Sequence, residues 1–280
     1  MSQDPLFDLT GKVAVVTGAG GVLCSEIALA MAERGAGVAL LGRTLEKVQK
    51  VEEKIREKGG SARAYRCDVL ELDELNAVSD QIRRELGACD ILINGAGGNH
   101  PDATTDAEMY QSSSQEGLRT FFDLPVSAFK ATFDLNFIGT LLPIKVFAKQ
   151  MVTRKDSVVI NVSSMAAFSP LTKVPAYSGA KAAVNNLTQW LATHFAPVNM
   201  RVNAVAPGFF ITNQNERLLT TEKGEYTPRA KKIIANTPMR RFGVPEDLVG
   251  TVIWLCSDAS KYVTGVVVPV DGGFNAYGGV

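Results

Sequence analysis

The chain has 280 residues, 46% of them hydrophobic and 21% charged, which provides for a sizeable core and lacks the polar bias of a disordered chain. Lys plus Arg and Asp plus Glu each total 29, so the formal net charge is zero and the broad basic surface of a nucleic-acid binder is not expected. Length suits one large α/β domain, and no linker, repeat or low-complexity segment divides residues 1–280.

Short β-branched runs alternate with longer helical periods along most of the chain, the rhythm of βαβ units. A strand is expected at 12–17, then the glycine-rich turn Thr17-Gly18-Ala19-Gly20-Gly21-Val22-Leu23-Cys24 and a helix at 25–34. A strand at 37–42 ends in Gly42-Arg43-Thr44 and leads to a helix at 45–58; a strand at 62–67 and a helix at 72–86 follow. The strand at 90–94 opens into a long loop, 97–125, before a helix at 127–153. Then come a strand at 157–162, a helix at 176–194, a strand at 201–205, a second long loop at 207–229, a helix at 245–257 and a strand at 266–270. Right-handed crossovers would build these into a doubly wound parallel sheet of about seven strands with helices on both faces. Its ligand crevice lies beyond the carboxyl ends of the strands, and loops of such length in a compact domain are usually functional.

The glycine-rich turn lets backbone N–H groups approach a pyrophosphate at a helix N-terminus, although a ligand-free βα turn reads the same way. A second pattern adds weight. Ser164 follows the strand at 157–162, and Tyr177 and Lys181 stand four residues apart in YSGAK, hence on one helix face. A phenol with an ordinary pKa of about 10 is a poor acid/base near neutrality, and a neighbouring ammonium favours its phenolate. Ser164 can hold the reacting oxygen by hydrogen bond.

Thr17-Gly18-x-x-x, Asn94-Gly95-Ala96-Gly97, Asn136, Ser164, Tyr177-x-x-x-Lys181 and Pro207-Gly208-x-x-x-Thr212 resemble, in order and spacing, the short-chain dehydrogenase/reductase family over essentially the whole chain. The resemblance implies a nicotinamide-dependent oxidoreductase acting on a CH–OH group, with a tetrad in which Asn136 supports a water, Ser164 orients substrate, Tyr177 transfers the proton and Lys181 also grips the nicotinamide ribose. It implies cofactor contacts at Thr17, Gly18, Gly20, Gly21, Val22, Leu23, Arg43, Asp68, Val69, Asn94, Ala96, Gly97, Pro207, Gly208 and Thr212, with Asp68 on the adenine side and Thr212 at the carboxamide. Val22 and Cys24 stand where the family's TGxxxGxG turn has glycines, and Gly95 replaces the second Asn of its NNAG.

DLNFIGTLLP, NVSSMAAFSPLTKVPAYSGAKAAVNNLTQWLA, APGFFITNQNERLL and VVPVDGGFNAYGGV are similar to the family's D-mannonate oxidoreductase (fructuronate reductase) and sugar-acid dehydrogenase branch. The expected reaction is reversible oxidation of a secondary alcohol on a sugar acid or polyol such as mannonate or gluconate. A 3-oxoacyl thioester or other carbonyl reductase is the alternative enzyme, and a non-catalytic nucleotide-binding regulator the alternative of another class. Gly42 leaves nothing at the end of the second strand to repel a 2′-phosphate, and Arg43 can contact one, so NADP(H) is favoured with NAD(H) as the alternative. Substrate contacts are sought at His100, Met165, Asn213, Gln214 and Arg217, the last as a carboxylate clamp, while Arg240 and Arg241 read as structural. His194, near a helix C-terminus, reads as a dipole or surface residue, and Phe121, Phe122, Phe209 and Phe210 as lid or core packing.

Cys24, Cys67, Cys89 and Cys256 form no CxxC pair and no cluster with either histidine, so neither a metal site nor a disulfide framework is expected. No run reaches the ~18–20 uninterrupted apolar residues of a bilayer span. A cytoplasmic protein with a small-molecule substrate, no nucleic-acid or membrane partner and, by the family resemblance, a homotetrameric assembly is the expectation.

Overall fold

In the computed structural model, which describes residues 4–111, 117–212, 219–221 and 224–279, strand β1 (Val13–Thr17) is buried on both faces. Ala14 and Val16 enter a core with helices α1 (Val22–Ala32), α2 (Leu45–Glu57) and α8 (Glu246–Cys256). Val13 and Val15 point the other way, into a core with α3 (Leu72–Glu85), α5 (Gly139–Met151) and α6 (Pro175–Phe195). Two covered faces explain why β1 and the strands beside it in the middle of the sheet read as continuous apolar runs.

Among the described residues the strands form one parallel sheet in the order β3-β2-β1-β4-β5-β6-β7. Its other members are β2 (Gly37–Gly42), β3 (Ser61–Arg66), β4 (Ile91–Asn94), β5 (Val158–Val162), β6 (Arg201–Pro207) and β7 (Val267–Val270). Thr17 is level with Asn94, and Asn94 with Asn161, so the carboxyl ends of the central strands lie together. The order reverses between β1 and β4, and the crevice opens at that switch point. The opposite edge is fastened by polar contacts: Asp90 Oδ2 accepts from Val13 N at 2.9 Å, and Arg154 Nε donates to Asp90 Oδ1 at 2.5 Å. Pro269, which has no N–H to donate, sits in the edge strand β7, beside a single neighbour.

The structure differs from the sequence expectation at three places. The helix expected over 127–153 is α4 (Val126–Phe133), a π-helical turn (Asp134–Ile138) and α5 in series. The turn is built by side chains that compete for backbone carbonyls: Asn136 Nδ2 donates to Thr132 O at 2.8 Å, and Thr140 Oγ1 donates to Asn136 O at 2.9 Å. This segment has the length and apolar content of a membrane span, but half of its apolar window is buried inside the protein. Helix α7 (Pro228–Asn236), started by a Thr227 cap and a proline in its first turn, stands where the long second loop was expected to be running out. Finally, α1 starts at Val22 rather than residue 25, taking Cys24 into its first turn.

Candidate functional site

The turn after β1 sets one wall of the crevice. Gly18 has φ +66°, and a Cβ there would meet the Ala96 backbone at 2.9 Å, so only glycine lets the turn lie flat on the segment after β4. Thr17 Oγ1 joins the two by accepting from Gly95 N at 3.1 Å and Ala96 N at 3.2 Å. Gly21 is the N-cap of α1 and supplies no capping side chain, so the first N–H groups of the helix are left for a ligand.

A cleft of about 460 Å³ runs along this edge. Of the expected cofactor residues it brings together Gly18, Gly20, Gly21, Val22, Leu23, Arg43, Val69, Ala96, Gly97, Pro207, Gly208 and Thr212, and with them Ser164, Tyr177 and Lys181. A long cleft with bare backbone at its narrowest approach, an uncapped helix N-terminus and cations at one end fits a dinucleotide. Thr17, Asn94 and Asp68 are not among its lining residues. Thr17 ties the loops together, Asn94 Nδ2 donates to Asn161 Oδ1 at 2.9 Å, and Asp68 Oδ1 accepts from Leu70 N at 3.0 Å.

Of the substrate candidates, His100 Nδ1 accepts from Asp102 N and caps a short turn, and Met165 is buried; neither lines the cleft. Asn213, Gln214 and Arg217 lie outside the described residues. Asn136 is fully buried, and its side chain grips the start of the loop after β4, donating to Gly98 O at 2.6 Å and accepting from Gly98 N at 3.2 Å. Lining residues that the sequence reading did not pick out include Lys47, Val48, Cys67 and Leu135. Lys47 carried a signal, since it stands four residues after Arg43 at the start of a helix. Phe209 and Phe210, read as lid or core, line the cleft, and Phe209 packs edge-on against Phe274 at 5.2 Å.

At the centre, Tyr177 and Lys181 project from one face of α6. The Tyr177 hydroxyl is hydrogen-bonded to Ser164; burial pushes its pKa up and that bond pulls it back. Lys181 Nζ donates to Val162 O at 2.8 Å and stands 5.7 Å from the Tyr177 ring centroid. Burial lowers the Lys181 pKa to about 8, with the Cys24 thiol a lesser influence in the other direction. Desolvation thus favours the neutral form of both groups, raising the phenol and lowering the ammonium. A phenol, an ammonium and a serine hydroxyl converging here can hold a substrate oxygen and exchange a proton with it.

A Rossmann-type sheet with this acid/base constellation at its carboxyl edge defines an oxidoreductase that uses a nicotinamide dinucleotide on a CH–OH group. The chain belongs to the short-chain dehydrogenase/reductase family. Residues 18–275 match the family model described as enoyl-(acyl carrier protein) reductase. An uncharacterized oxidoreductase of Haemophilus influenzae is 53% identical over 274 residues, covering 98% of this chain and 96% of its own. A solved structure with bound NAD, provisionally described as a D-mannonate oxidoreductase from Haemophilus influenza, is 52% identical with TM-score 0.94, covering 98% of each chain. The 2-dehydro-3-deoxy-D-gluconate 5-dehydrogenase of Formosa agariphila is 34% identical over 277 residues, 99% of this chain and 97% of its own.

Proposed function

We propose that the protein interconverts a secondary alcohol and a ketone on a sugar acid, with NADP(H) preferred to NAD(H). The observation that carries the substrate class is full-length similarity to two proteins described as acting on sugar acids, a mannonate and a deoxygluconate derivative. The dinucleotide, when bound, supplies or accepts the hydride. In the oxidation, Ser164 holds the carbinol oxygen, Tyr177 takes its proton, and the Lys181 ammonium favours the phenolate that makes this transfer possible. Asn136, through Gly98, fixes the loop that begins the substrate side.

The cofactor preference rests on β2 ending in Gly42, with Arg43 and Lys47 on the cleft and no Asp or Glu among the described residues that line it. Absorbance at 340 nm with D-mannonate, D-gluconate and 2-keto-3-deoxygluconate, against neutral polyols and 3-oxoacyl thioesters, tests the substrate class. Faster turnover of the thioesters or neutral alcohols than of every sugar acid refutes it. Arg43→Ala should weaken NADPH binding roughly tenfold or more and leave NADH nearly unchanged, since one charge-assisted contact is worth about 1.5–3 kcal/mol. Tighter binding of NADH than NADPH by the native protein refutes the preference.

A further inference from the structure

Two departures from the family's patterns, far apart in sequence, meet in space. Cys24 is the third residue of α1, and Gly95 is the first residue after β4; both line the cleft. A Cβ built on Gly95 would overlap the Cys24 sulfur, while lying 3.6 Å from Cys24 Cβ and 3.0 Å from the Thr17 carbonyl oxygen. The sulfur therefore fills the notch that a side chain at 95 would need.

We propose that Cys24 and Gly95 are a matched pair that positions the two walls of the dinucleotide cleft. One wall is the glycine turn and first turn of α1; the other is the segment 95–98. They already touch at Gly18 and Ala96, where the backbones leave no room for a Cβ, and the two hydrogen bonds to Thr17 Oγ1 hold that contact. Cys24 and Gly95 form the second point of contact. Two points fix an angle as well as a distance. Any atom added at 95 must push the sulfur, and α1 with it, or lift the segment that carries Gly97. Gly97 in turn lies against the tetrad: a Cβ there would stand 2.8 Å from Asn136 Oδ1 and 3.2 Å from Lys181 Nζ. The displacement therefore falls on groups that face the cofactor. Cys24 suits the position chemically too. The residue is 4% exposed and burial pushes its thiol pKa up to about 12, so a neutral group stands at the N-terminus of α1 and does not compete with a pyrophosphate there. An acidic or larger residue would do so.

The test is a double-mutant cycle read by dinucleotide binding. The Kd of NADPH, with NADH alongside, is measured by fluorescence titration for the native protein, Gly95→Ala, Cys24→Ala and the double variant, and thermal unfolding of each is recorded. Cys24→Ala removes the overlapping sulfur and keeps a Cβ at ordinary contact distance, so it opens the notch with little other change. In the native background Gly95→Ala should raise Kd at least about tenfold; in the Cys24→Ala background the same change should cost less than about threefold, the Thr17 carbonyl contact being common to both. A rescue of binding at an unchanged unfolding midpoint identifies positioning of the cleft rather than general packing. If Gly95→Ala does not fold, the double variant decides the question by folding and binding the dinucleotide. An equal cost in both backgrounds, or a double variant that binds no better than Gly95→Ala, overturns the proposal.

Discussion

At the scale of the residue, the pair on α6 combines two opposing demands. Lys181 must be charged to favour the Tyr177 phenolate, yet it is buried and its pKa is held down at about 8. Burial makes its protonated form destabilising to the fold. The unfolded chain, with its lysine at the ordinary value of 10.5, binds more protons than the folded chain between about pH 8 and 10.5, so stability contributed by this site rises with pH over that window. Unfolding of the native protein and of Lys181→Met across pH 7 to 10.5 checks this: the native protein should gain on the variant above pH 8, and parallel curves would contradict it. Tyr177→Phe keeps the ring and deletes the hydroxyl. Positioned acid/base catalysis contributes roughly 10²–10⁴-fold, so kcat should fall by that order while the dinucleotide still binds. A Phe variant with near-native turnover would show that another group moves the proton.

At the scale of the element, local patterns were legible where one face or two faces of an element meet the core. The strand expected at 37–42 coincides with β2, and the other strand boundaries fall within two residues, because each strand is a short apolar run closed by a turn. That Ser164, Tyr177 and Lys181 meet was legible because the last two lie four residues apart on one helix and Ser164 stands just past the end of the preceding strand. What spacing could not give was contact between distant segments. Asn136 could be marked by resemblance, but its two hydrogen bonds with Gly98 depend on how the turn after α4 packs under the loop after β4. The π-turn was invisible because it adds a residue without breaking the helical alternation of apolar and polar residues between Val126 and Met151. Cys24 and Gly95 each looked like an isolated departure, and only the fold shows that one accommodates the other. Helix α7 escaped because it carries a single apolar stripe, Ala230 and Ile233, among polar residues in a segment rich in turn formers.

At the scale of the whole molecule, the parallel sheet divides labour between its two edges. The carboxyl edge holds Gly18, Ser164, Tyr177 and Gly208 in the cleft, and the amino edge holds Asp90, Arg154 and Arg201, whose guanidinium donates to the carbonyls of Leu255 and Val263. Substitutions at the first edge act on chemistry and at the second on stability. The sheet is also a partition. Cys89 lies in the core on one face and Cys256 in the core on the other, both away from the cleft, both free, and both with thiol pKa values raised by burial. Since the thiolate is the reactive form, neither should react with a disulfide reagent until its own face opens, and the two sulfurs become independent clocks for the two halves of the core. If the domain opens as one cooperative unit, residue-resolved labelling will mark Cys89 and Cys256 at a single common rate, and a saturating dinucleotide will slow both by the same factor, about 100-fold at a hundred times Kd. Unequal rates would reveal one layer of helices peeling from the sheet while the other stays closed, a breathing motion of half the molecule with the cleft at its hinge.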